Sequence, residues 1–145
     1  MYNCLIDVCL KAHNNPYIRL KLDNLTVYEG ILAADKTFNI SQDLSIDKHI
    51  ITVEMLKKSV RIENQSVIID KIIFDNITAD RFAWAGKYTP IYPQPWAMKQ
   101  IAAGNTLEPV LNSTYLGWNG IWKLEFTVPV FTWIHKIEKL GWIYD

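Results

Sequence analysis

The sequence predicts an all-β fold: an antiparallel β-sandwich of jelly-roll type in one domain over residues 1–145, with a long aromatic and proline-rich loop and one or two short helices. Two observations carry this reading. Residues 1 to about 78 alternate apolar with polar side chains in short runs separated by turn residues, whereas residues 79–145 hold all six tryptophans and five of the six prolines. Alternation of period two marks strands with one face on a core, and several of them at spacings of about ten residues suit a sandwich. A chain of 145 residues is long enough to bury roughly two thirds of its unfolded surface in one core.

The core strands come first, in residues 1–78. In residues 3–12, Cys4, Ile6, Val8, Leu10 and Ala12 fall on one side and Asp7, Cys9 and Lys11 on the other, until His13-Asn14-Asn15-Pro16 breaks the pattern. Residues 17–22 alternate again. The Asp23-Asn24 pair before Leu25-Thr26-Val27-Tyr28 then suits a tight hairpin, since both residues tolerate positive φ. Further strands are expected over residues 36–40, 49–56 and 67–74, the last apolar on both faces apart from Asp70 and Lys71, as a central strand would be.

Residues 79–110 read as a loop with a short helix. Pro90, Pro93 and Pro95 exclude a helix or central strand over residues 81–96, which are expected to form an extended loop packed through its aromatics. Residues 96–103 are expected to form a short helix ended by Gly104. Residues 111–145 then supply a second hairpin and a tail. The hairpin is expected over residues 115–128 around Asn119-Gly120, with Pro129 ending it, and a short helix or turn over residues 133–141.

Composition narrows the function. Fifteen basic residues balance fifteen acidic ones, so no basic stripe for a phosphate backbone is present and nucleic acid is not an expected partner. Half the residues are hydrophobic and 12% aromatic, which suggests that a partner covers part of the surface. The first residues lack the pattern of a cleaved leader, and no run approaches the roughly 18 apolar residues of a membrane span. Cys4 and Cys9 face opposite sides of one strand and are read as reduced, Cys4 in the core. Five Asn-x-Ser/Thr triplets, beginning at Asn24, Asn39, Asn64, Asn76 and Asn112, fit turns and strand edges.

No nucleophile–base pair, phosphate loop or metal-ligand spacing is recognisable. His13, His49 and His135 stand alone, and Asp70 and Asp75 read as solvent-facing charges beside Lys71. The expectation is a protein that is not an enzyme and uses no cofactor or metal. Trp84, Tyr88, Tyr92, Trp96 and Trp118 are the candidate binding residues, because large flat side chains in Gly- and Pro-rich segments are held rigidly at little entropic cost. They could form a second small core beneath the loop, anchor a protein interface, or stack on the apolar faces of sugar rings.

Residues 5–12, 18–28, 49–56 and 67–76 run as strand, hairpin with a polar turn, strand, and strand with an Asp-containing tip. In that order the first half resembles the β-sandwich of calcium-dependent xylan-binding modules. The resemblance implies the architecture. In that family an Asn-Asp pair supplying calcium oxygens follows the strand matching residues 50–56, where this chain has Lys57-Lys58, so no ligand residue is carried over. The second half is similar in texture to small structural proteins of tailed bacteriophages. That likeness implies a non-enzymatic virion component, a capsid decoration or tail part, binding other virion proteins or copies of itself through the aromatic surface. The alternative is a carbohydrate-binding or host-adhesion module with a glycan partner. The virion is the expected location, with the cytoplasm as alternative and no membrane association.

Overall fold

The computed structural model of the protein describes residues 2–58 and 64–137. Two antiparallel sheets face each other. One has the order β4 (Lys36–Leu44), β1 (Tyr2–His13), β6 (Ser66–Phe74), β7 (Ile77–Thr78), with β9 (Tyr115–Leu116) also pairing with β6. The other runs β3 (Leu25–Ile31), β2 (Tyr17–Leu22), β5 (Lys48–Leu56), β10 (Gly120–Thr127), β8 (Lys87–Pro90). Three short helices, α1 (Asp80–Trp84), α2 (Trp96–Ala102) and α3 (Val130–Ile137), lie between or after the strands.

The alternation seen in the sequence is the packing scheme. Cys4, Ile6, Val8 and Leu10 of β1, Ile18, Leu20 and Leu22 of β2, and Ile51, Val53 and Met55 of β5 are all buried in one apolar cluster. Phe74 is the hub of its aromatic part. Its ring lies 5.0 Å from Phe126 on the facing sheet, 5.5 Å from Phe82 on α1 and 5.2 Å from Trp133 on α3, within the range in which tilted and edge-to-face pairs attract.

The Asp23-Asn24 hairpin forms as expected between β2 and β3, with Asp23 at φ 52°. The Asp23 carboxylate also accepts the Ile50 N–H at 2.9 Å and contacts His49 Nδ1 at 2.7 Å, which ties the turn to β5. The helix over residues 96–103 forms as α2, and Gly104 follows it at φ 86°, the left-handed conformation that glycine adopts without a Cβ penalty.

Two expectations are corrected. Residues 81–96 are not one extended loop, because the prolines constrain the chain only from Pro90 onward: the residues before it form α1 and, with Pro90 as its last residue, β8. Strand β8 is the edge of its sheet, where a proline costs no ladder hydrogen bond. The expected second hairpin over residues 115–128 is absent. β9 pairs with β6 and β10 with β5 and β8, so the chain passes from one sheet to the other at Asn119-Gly120. Gly120 is needed there for space: a Cβ on it would lie 2.5 Å from the Thr89 carbonyl oxygen and 2.7 Å from Pro90 Cα. Helix α3 begins at Val130, earlier than expected, and the rest of the expected tail, residues 138–144, lies outside the described residues.

Two measurements check this packing. A Cβ at Gly86 would lie 2.3 Å from ring atoms of the fully buried Trp122, so Gly86→Ala should lower unfolding stability by about 1–3 kcal/mol in urea titrations. Burial alone would lower the pKa of His49, but hydrogen bonds to Asp23 and the Ser45 carbonyl and the charges of Asp23 and Asp47 together raise it above 6.5. A raised folded-state pKa gives stability that is full below the unfolded value and is lost as pH rises through the folded one. Melting temperature should therefore fall as pH increases upward from about 6.5, and Asp23→Asn should flatten that dependence.

Candidate functional site

The structure gathers part of the aromatic set where β5 ends and β9 hands over to β10. A groove of about 350 Å³ there is lined by Lys58, Asn64, Tyr88, Tyr92, Tyr115 and Trp118, among others. This falls at the lower end of the range for small-molecule sites.

The groove is built on backbone hydrogen bonds. After β5, Lys57 takes φ 60° and turns the chain, with its ammonium 4.0 Å from the centre of the Tyr17 ring. The Asn119 side chain then grips Lys58 from both sides: its Oδ1 accepts the Lys58 N–H at 2.8 Å, and its Nδ2 donates to the Lys58 carbonyl at 3.0 Å. The Lys58 ammonium donates to the carbonyls of Gln65, at 2.9 Å, and Gly117, and lies 4.3 Å from the centre of the Trp118 ring. Burial pushes the pKa of Lys58 down. Gln65 in turn donates from Nε2 to the carbonyls of Asn14 and Asn15.

Trp118 is fixed from the other side. The Tyr88 hydroxyl donates to the Trp118 carbonyl and accepts the Trp118 N–H at 3.2 Å. Burial raises the Tyr88 pKa to about 12, so it remains a neutral donor at any physiological pH. Tyr88 and Leu111 exchange backbone hydrogen bonds of 2.9 and 2.7 Å, which hold the loop after α2 against β8. Tyr92 donates its hydroxyl to the Glu108 carbonyl, and its ring lies 6.1 Å from that of Trp96.

The five candidates therefore separate. Tyr88, Tyr92 and Trp118 line the groove, but Tyr88 is only 3% exposed and supports Trp118 instead of offering a ring face. Trp96 adjoins the groove through Tyr92, and it is exposed. Trp84, half exposed on α1, sits apart beside Arg81, Ala85 and Ile137. Sequence reasoning missed Tyr115, Lys58 and Asn119. The Lys57-Lys58 pair directly after a strand was the available signal for Lys58, whereas Asn119 carried a turn signature that concealed its role.

Among the described residues the groove's lining contains no His, Asp or Glu, and no group of three or more His, Cys, Asp or Glu could hold a metal ion. A second hollow, of about 420 Å³, is lined by Lys11, His13, Asp35 and Ser66 and shares Asn64 and Tyr115 with the groove. Among the described residues no helix is long and apolar enough to cross a membrane.

If Tyr88 anchors the crossing, Tyr88→Phe leaves the half-buried Trp118 peptide groups without their partner. The expected loss is about 1–3 kcal/mol of unfolding free energy, accompanied by a red shift of tryptophan emission in the folded protein.

No protein-family model matches the chain, and no curated protein matches it. Among solved structures it is similar to vCBM60 in a selenomethionine form, described with two families of calcium-dependent carbohydrate-binding modules linked by circular permutation. The two are 17% identical with a TM-score of 0.55, covering 83% of this chain and 89% of that one. It is similar as well to vCBM60 in complex with galactobiose, at 18% identity and a TM-score of 0.55, covering 83% of this chain and 96% of that one. The chain has the β-sandwich fold of a carbohydrate-binding module.

Proposed function

We propose that the protein is a non-catalytic carbohydrate-binding module acting as one domain, with its saccharide site in the groove beside Trp118. The observation that carries this reading is the arrangement of the groove itself. An indole whose backbone is hydrogen-bonded in both directions to Tyr88 stands beside polar groups from Lys58, Asn64 and Ser113. Sugar rings present apolar C–H faces ringed by hydroxyls, so a fixed aromatic plane with hydrogen-bonding groups at its edge matches them. Fixing the plane in advance reduces the ordering cost of binding. The fold shared with a module seen with galactobiose supports the same class of ligand.

The expectation of a virion component draws no support from these comparisons, which favour the glycan alternative. A protein interface keeps one observation in its favour: Trp96, Met98 and Ile101 of α2 are exposed by 40, 66 and 63%, an apolar surface of the kind that partners cover.

Titration with galactobiose and related oligosaccharides should quench tryptophan fluorescence saturably. Trp118→Ala should weaken that binding at least about tenfold, ~1.4 kcal/mol, while Trp84→Ala should leave it unchanged. No saturable binding across a panel of neutral and acidic oligosaccharides would remove the glycan reading.

A further inference from the structure

Among the described residues Lys58 is the only charged side chain lining the groove. Four hydrogen bonds hold it in place: two from its backbone to the Asn119 amide and two from its ammonium to the carbonyls of Gln65 and Gly117. The aromatic face of Trp118 completes the cradle at 4.3 Å. Carbonyl oxygens and a π-face around a positive charge make up a cation site, and here the cation belongs to the chain. Among the described residues Lys58 takes part in no salt bridge; the ion pairs are Lys11–Asp70, Arg19–Glu29, Arg19–Glu54 and His49–Asp23.

A calcium ion, of the kind named for the fold neighbour, does not fit these residues. Calcium takes six to eight oxygen ligands with carboxylates among them, and the described residues offer no such cluster. An ammonium already engages the carbonyls facing the groove. A second positive charge beside it would be repelled.

An ammonium has three N–H donors, of which Gln65 and Gly117 take two. A half-buried positive charge without a carboxylate partner is costly, and a ligand that brings a negative charge offsets that cost. We infer that Lys58 serves as the built-in cation of the groove in place of a metal ion, and that the ligand is an acidic saccharide. Its carboxylate meets the remaining N–H of Lys58 while its ring lies against Trp118. This rests on the glycan reading above and narrows it to sugars of the uronic acid type.

Calorimetry on the full chain with digalacturonate and with galactobiose, each with and without EDTA, tests the inference. Digalacturonate should bind at least about tenfold tighter than galactobiose, with a preference that persists in EDTA and shrinks as salt is added. Lys58→Met should lower digalacturonate affinity at least about tenfold and so remove the preference, whereas Trp84→Ala, away from the groove, should leave both affinities at their native values; a thermal melt reports whether each variant is folded. Equal affinity for the two sugars, or binding abolished by EDTA, overturns the built-in cation and leaves the glycan reading standing. Binding of neither sugar overturns the inference, and the wider oligosaccharide panel then decides the glycan reading separately. Should Lys58→Met fail to fold, the native protein's preference and its response to EDTA and salt decide the matter alone.

Discussion

Three residues, Gly117, Trp118 and Asn119, carry the chain from β9 in one sheet to β10 in the other. Facing sheets pack about 10 Å apart, and the four Cα steps from Leu116 to Gly120 reach about 13–14 Å when extended, so the crossing is short. Its polar groups are accordingly bonded in place. The Gly117 carbonyl takes the Lys58 ammonium, the Trp118 peptide groups take the Tyr88 hydroxyl, and the Asn119 carbonyl accepts the Ile91 N–H. The Asn119 side chain grips the Lys58 backbone. A short crossing whose three carbonyls and Trp118 N–H are all bonded holds Trp118 in place, and the groove depends on it.

At the other end of β6 and β10 from this crossing the sheets are held together by aromatic packing. Phe74 and Phe126 meet across the interface, with Phe82 and Trp133 packed around them from α1 and α3. The turns are tied down by a recurring device in which an aspartate accepts a backbone N–H from another strand. Asp23 takes Ile50, Asp35 takes Ala12 and Asp75 takes Leu5. Such bonds to a charged acceptor are worth more than the exposed Lys11–Asp70 ion pair. Asp75 thus has a structural use that its reading as a solvent-facing charge did not include.

Electrostatics and packing meet at Lys58. A lysine after a strand would ordinarily extend into water and contribute little. Here the turn at Lys57 and the Asn119 clamp direct its ammonium inward to two carbonyls and an indole. The same bonds that hold the crossing place a positive charge in the groove, so the fold and the electrostatics of the groove share one set of contacts.

The sequence alone determined the strands of the first half, the β2–β3 hairpin and the short α2, because each depends on local rules: period-two burial, a residue that tolerates positive φ, a glycine after a helix. It could not determine which strand lies beside which. Asn119-Gly120 carries the local signature of a hairpin, yet β9 and β10 join different sheets, since pairing is decided by the burial of β6 and β5 far away in the chain. For the same reason five aromatics of one chemical kind were indistinguishable in the sequence. Only the tertiary structure buried Tyr88 as a support, set Tyr92 and Trp118 along a groove and left Trp84 on another face, because exposure and proximity are properties of the assembled sheets and not of any residue's neighbours in the chain.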